Sequence, residues 1–279
     1  TDKNLSSAWK MLESEMSSKS LFATAIRLAR ADKHDAALIA VLSAVEIRPE
    51  RRRVVAGLGG KTDGTVTLGV LSHVLPESLT AAAPDSRLMR SGFIHVSESG
   101  AWAAREIHLA PSLVWSLLGV QDRDPELPID IEHISGVAGS GDAQVILVAG
   151  PDRSARRRRA LMRLGAERAI ALKGTDESTN WAAVVREATL CGAAVLVDVV
   201  DSVPPRIKWW IERANHLRWG ILSENQIPLE QLPDRAWVDD QITDRVASAS
   251  SVLQQMGGAL GAGHRLTFTQ LDQIRQSLP

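Results

Sequence analysis

The 279-residue chain reads as α/β: a helical N-terminal part with a two-stranded ribbon, a parallel sheet sandwiched by helices, and a small helical C-terminal part. Three observations predict this. Apolar residues recur at helical spacing from Leu5 to Ile47. From residue 143 onward, short continuous apolar runs alternate with helical patterns, which implies a parallel sheet covered on both faces. Between these regions lie the charged, proline-bearing residues 121–128 and the small residues 136–141, which mark a boundary. The length exceeds the roughly 100–200 residues of one domain. We divide it into 1–125, 126–255 and 256–279.

Taken in order, Leu5, Trp9, Leu12 and Met16 predict a first amphipathic helix, and Leu21, Phe22, Ile26 and Leu28 a second. Residues 35–47 are apolar on almost every face, so this helix must be the buried spine, with Pro49 as its stop signal. Arg51, Arg52 and Arg53 then read as a solvated end stabilised by the helix dipole. Residues 65–75 and 86–90 carry short helical patterns. Residues 92–97 and 105–109 alternate as ribbon strands around a turn, and 111–118 return to helix. Helices followed by a ribbon suggest a winged-helix arrangement. The helix before the ribbon holds only Arg87 and Arg90, too few cations for the phosphate contacts that DNA affinity requires. His95 and His108 lie on the two strands without a third ligand at metal spacing, so they read as ordinary strand residues.

In the second half, strands are expected at 145–149, 169–172, 193–198 and 219–223, with a fifth beginning at Ala236. The intervening helices run to Arg163, over 181–190 with Ser178 or Asn180 as cap, and over 207–217. Terminal helices are expected at 244–256 and 268–278, separated by the glycine-rich residues 257–263.

Residues 144–159 organise the chain: an apolar strand, a turn at Gly150 and a very basic helix stand where a P-loop would sit. That loop, G-x-x-x-x-G-K-[ST], needs a second glycine, a lysine for the phosphates and a hydroxyl for Mg²⁺. Aligned on Gly150, those positions hold Ala155, Arg156 and Arg157. The third strand ends in Asp198, where such ATPases hold magnesium, but Val199 stands where a glutamate would polarise water. Hydrolysis would therefore have to use Asp201. Several losses together describe a P-loop-type scaffold without its nucleotide chemistry. Five arginines, Arg153, Arg156, Arg157, Arg158 and Arg159, oppose the dipole at a helix start and call for an acidic partner, in this chain's neighbour or in a phosphate.

Composition narrows the classes. With 32 basic and 33 acidic residues there is no global pull toward nucleic acid or anionic membrane. The single cysteine, Cys191, excludes an internal disulfide and fits a cytoplasmic location. No apolar run reaches the ~18 residues of a membrane span. The chain starts at Thr1 and stops at Pro279, as a piece of something longer would.

Residues 86–94 and 107–119, Gly150, residues 186–198 and residues 265–271 together resemble the N-terminal portion of bacterial AAA+ ATPases with a winged-helix-like leader and a degenerate first ATPase module. The resemblance runs from about residue 20. It implies a ring-forming homo-oligomer that docks an unidentified client or assembly protein. No cofactor is implied in this segment, and ATP with Mg²⁺ is expected only in a following module. Asn225 would occupy the γ-phosphate-sensing position, or serve as a turn residue. Two other readings remain open: an ATP-binding, weakly hydrolysing module with Arg156 replacing the lysine, and a winged-helix DNA-binding regulator.

Overall fold

The computed structural model describes residues 2–60, 64–120, 122–136, 139–174, 178–233, 237–241, 247–248 and 265–266. Its helices, in chain order, are α1 (Asp2–Met16), α2 (Leu21–Leu28), α3 (Lys33–Ile47), α4 (Pro49–Leu58), α5 (Leu68–Val74), α6 (Arg87–Arg90), α7 (Pro111–Leu117), α8 (Arg153–Leu164), α9 (Trp181–Cys191) and α10 (Pro205–Arg213). The main strands are β1 (Ile94–Val96), β2 (Ile107–Leu109), β3 (Glu132–Ser135), β4 (Val145–Ala149), β5 (Arg168–Lys173), β6 (Ala194–Val199), β7 (Trp219–Ser223) and β8 (Trp237–Gln241). Two compact units divide the chain: Thr1–Ile129 with Thr179–Gly192, and Asp130–Ser178 with Ala193–Pro279. The division differs from the sequence boundary at 125/126 in giving α9 to the first unit.

The first unit is built around α3. A capping box starts this helix: Asp32 accepts from the His34 and Asp35 N–H groups, and the Asp35 carboxylate accepts from Asp32 N–H. Leu38, Ile39 and Leu42 of α3 are buried with Ile26, Leu68, Leu71, Leu88, Phe93, Ile107 and Leu113. Each such side chain contributes about 1.5–3 kcal/mol by leaving water. α3 stops at Ile47, before Pro49, with Arg48 extended. Pro49 also occupies the first turn of a new helix, α4, where its missing N–H costs nothing, so Arg51, Arg52 and Arg53 lie inside a second helix instead of trailing the end of the first. Strands β1 and β2 pair antiparallel, with His95 opposite His108. A further bridge joins Thr67 to Glu106 on the far side of β2, which widens the expected two-stranded ribbon.

The described residues 122–128 of the stretch read as a linker belong to this unit, where a buried cation holds Asp124 and Glu126. Arg186 of α9 is 4% exposed. Its Nε donates to Asp124 Oδ2 at 2.6 Å and to Ser112 Oγ at 2.8 Å, Nη2 to Glu126 Oε2 at 2.8 Å, and Nη1 to the Gly92 carbonyl at 3.0 Å. Gly92 has φ 69°, and a Cβ there would stand 2.5 Å from the Ala182 carbonyl oxygen, so the approach of α9 requires glycine. Asn180, rather than Ser178, caps α9.

The second unit is a six-stranded sheet in the order β3-β5-β6-β7-β4-β8, parallel except for β3, which runs antiparallel to β5. Every residue of β4 and β7 is buried. Ala160, Leu161 and Leu164 of α8 pack on one face with Ile146, Val148, Leu196 and Leu222. On α10, Ile207 and Ile211 are buried. Gly141, expected in a flexible stretch, instead donates its N–H to Met162 O at the end of α8. The terminal helices expected at 244–256 and 268–278 lie almost wholly outside the described residues. The exception is Ala247–Ser248, which pairs antiparallel with Arg265–Leu266 instead of forming helix. Serine at 248, 250 and 251 makes that stretch a weak helix former.

Replacing Arg186 by Met leaves Asp124, itself 2% exposed, charged and unpaired inside the first unit. The expected loss is about 3–5 kcal/mol, read as a fall in the urea unfolding midpoint. Arg186→Met combined with Asp124→Leu is expected to recover much of it, because the uncompensated charge is gone.

Candidate functional site

The carboxyl ends of β4, β6 and β7 define the candidate site. β7 lies between the other two, with Val148, Leu222 and Asp198 side by side in one row. After β4 the chain turns at Gly150, whose φ of 153° favours glycine and whose N–H donates to Ser223 O at 3.1 Å. Asp152 then caps α8 by accepting from Ala155 N–H at 2.9 Å. The backbone N–H of Arg156 enters the helix ladder at Asp152 O. The N–H groups of Gly150, Ala155 and Arg156 are thus already bonded, to β7 and to the helix cap at Asp152, where a phosphate-cradling loop would turn them toward a ligand.

Three arginines of α8 converge on Asp198. Arg153 Nε donates to Asp198 Oδ2 at 2.9 Å, Arg157 Nη2 to the same oxygen at 3.2 Å, and Arg156 Nη2 stands 3.8 Å from Oδ1. Glu132 on β3 completes the group, accepting from Arg157 Nη1 at 2.5 Å and from Arg153 Nη2 at 3.2 Å. Arg156, which the sequence reading sets against a P-loop lysine, is 7% exposed. Its Nη1 donates to the Gly150 carbonyl, so it is turned onto the loop itself. Burial pushes the Arg156 guanidinium below its ordinary value. Burial also weighs on Arg157, but the bonds from Glu132 and Asp198 prevail and raise it. The Arg157 hydrogen bond in turn lowers Glu132 below the usual carboxylate range.

Three guanidinium groups meet the carboxylates of Asp198 and Glu132 directly, and Glu224 and Asp152 add negative charge around Arg156. Asp198 is surrounded by cations, a setting that opposes a divalent metal, although its Oδ1 has no hydrogen-bond partner. No group of three or more His, Cys, Asp or Glu side chains among the described residues is arranged to hold a metal. Asp201, the alternative water-polarising residue, accepts from Asn225 Nδ2 at 3.1 Å. The Asn225 N–H donates to Ser223 Oγ, whose own hydroxyl donates to Val200 O. These bonds close a turn.

The sequence named Gly150, Ala155, Arg156, Arg157 and Asp198, and the structure brings all five to one edge of the sheet. The acid demanded by the arginine run is supplied to Arg153 and Arg157 from within the chain. Arg158 is exposed and Arg159 half-buried; both have other partners. Glu132 was missed because the Glu132–Ser135 segment holds one apolar residue and carries no strand signal. In the first unit, Arg87 of the short α6 is also occupied, donating to Asp32 Oδ2 at 2.5 Å and to Asp35 Oδ2 at 3.2 Å. His108 bonds Glu46 at 3.3 Å and Glu106 at 3.4 Å. No family model, no curated protein and no solved structure matches the chain. Among the described residues, no helix is long and apolar enough to cross a membrane.

Because Glu132 is depressed in the folded state, its stabilising contribution is complete above its unfolded pKa of about 4.3 and is lost as pH falls through the lower folded value. Thermal melting followed from about pH 6 down to pH 3 is expected to show a steeper acid-side loss for the native chain than for Glu132→Gln, which is already less stable at neutral pH.

Proposed function

We propose that the second unit is a P-loop-type ATPase scaffold whose phosphate site is filled by its own arginines. On this reading the chain is the non-hydrolysing, assembling and partner-docking segment of an AAA+-type ATPase, with ATP turnover in a module outside it. The observation that carries the reading is the closure of Arg153, Arg156 and Arg157 onto Asp198. In open α/β sheets ligands bind beyond the carboxyl ends of the strands, where the chain reverses its direction of travel across the sheet. β4 lies at such a point, since β5, β6 and β7 lie to one side of it and β8 to the other. An anion seated there would compete with Asp198 and Glu132 for guanidinium groups already paired to them, although Nε of Arg156, Nε of Arg157 and Oδ1 of Asp198 are buried without a hydrogen-bond partner, and a magnesium ion would meet three guanidinium groups.

The ribbon and helices of the first unit are compatible with a winged-helix-like leader. A DNA-reading role has little to draw on, because Arg87 is committed to two aspartates and α6 is one turn long.

Titration of the full chain with a fluorescent ATP analogue and Mg²⁺ is the test. The expected result is no saturation up to about 1 mM, where a site of that affinity would contribute about 4 kcal/mol. Saturable micromolar binding that disappears in Arg156→Ala would overturn the reading in favour of an ATP-binding module in which Arg156 replaces lysine.

A further inference from the structure

Two exposed helical faces of the first unit are complementary to each other but are not packed together. On α4, Val54 and Leu58 are 67% and 63% exposed, one turn apart. Arg51 lies one turn before Val54 on the same stripe, and Arg53 flanks it. The side chains of Arg51 and Arg53 have no hydrogen bond or ion pair among the described residues. Gly57 lies between Val54 and Leu58, and a Cβ there would meet nothing within 4 Å. A glycine inside a helix costs about 0.5–1 kcal/mol relative to alanine, and nothing within this unit requires it.

On α1 the outward stripe is Ser7, Met11, Ser14 and Glu15, all exposed, with Met11 at 71%. Glu13 adds a second exposed carboxylate, and Lys10 is the one cation between residues 6 and 16. The two faces lie at opposite ends of the spine. Trp9 of α1 sits edge-on to His34, with Lys33 over its ring, at the start of α3. α4 begins where α3 stops, and α3 is about 22 Å long at 1.5 Å per residue.

We propose that the outer face of α4 docks α1 of a second copy of this chain. Met11, unbranched and adaptable, fits the gap that Gly57 leaves between Val54 and Leu58. With the helices antiparallel, Glu15 lies about 6 Å further along, which brings it level with Arg53 and near Arg51. Because the two patches differ and stand apart on one unit, the contact is head-to-tail, and its repetition gives a ring or an open filament instead of a closed dimer. The inference deepens the assembly part of the proposed function and rests on it, while leaving the phosphate site aside.

The test is a charge exchange on the full chain, read as mass against concentration by light scattering at low salt. Wild type is expected to associate, and less so as salt rises. Arg51→Glu with Arg53→Glu, and separately Glu13→Arg with Glu15→Arg, are each expected to weaken association tenfold or more, since juxtaposed like charges repel strongly. Mixing the two variants, or joining all four substitutions in one chain, is expected to restore it. All four positions are exposed, and unchanged circular dichroism and melting would exclude unfolding as the cause. A wild type that stays monomeric overturns both this interface and the assembly reading. Association that persists unaltered in both variants, or that the exchange fails to restore in folded protein, overturns this interface alone.

Discussion

Three guanidinium groups held on one carboxylate decide what the second unit can be. Asp198 ends a buried parallel strand, and the order of the sheet brings the start of α8 over it with only β7 between. A lone carboxylate there would be open to a metal ion. With Arg153 and Arg157 bonded to it, Arg156 at 3.8 Å and Glu132 sharing the charge, the same position becomes an internal ion cluster. On the proposed reading, a fold that could build a nucleotide site is kept while the side chains at its turn are turned on each other.

Arginine suits this use better than lysine. Its planar fork offers several donors at fixed angles and is less strongly hydrated than an ammonium group, so one side chain can bridge Glu132 and Asp198 together. The first unit relies on the same property at Arg186, where one buried guanidinium satisfies two carboxylates, a hydroxyl and a backbone carbonyl. Such networks add less net stability than their bond count suggests, because each charge has been taken out of water. Losing one member is nonetheless severe, and so they fix which segments must lie together.

Much of the fold was legible in local pattern. The apolar runs of β4, β6 and β7 and the helices between them were visible because burial on both faces leaves polar residues only near the strand ends. The spine α3 was visible for a related reason: a helix apolar all round has to be covered. Illegible parts had signals that depend on context. Pro49 marks the stop of α3, and only the structure shows that it also starts α4. β3 is held by its pairing with β5 and not by its composition. At Arg186, charge gave no hint of burial, since its partners Ser112, Asp124 and Glu126 lie 60 or more residues away.

By itself the sequence determined the class of structure and the absence of P-loop chemistry at the turn after β4. Ala155, Arg156, Arg157 and Val199 are chemical identities, and no fold can give them a glycine's freedom, a hydroxyl's bond to a metal or a carboxylate's pull on water. Only the tertiary structure decided which acids the arginines meet. Pairing Arg153 and Arg157 with Glu132 and Asp198 depends on the antiparallel edge strand and the position of β6, contacts spanning 21 to 45 residues that no local pattern encodes.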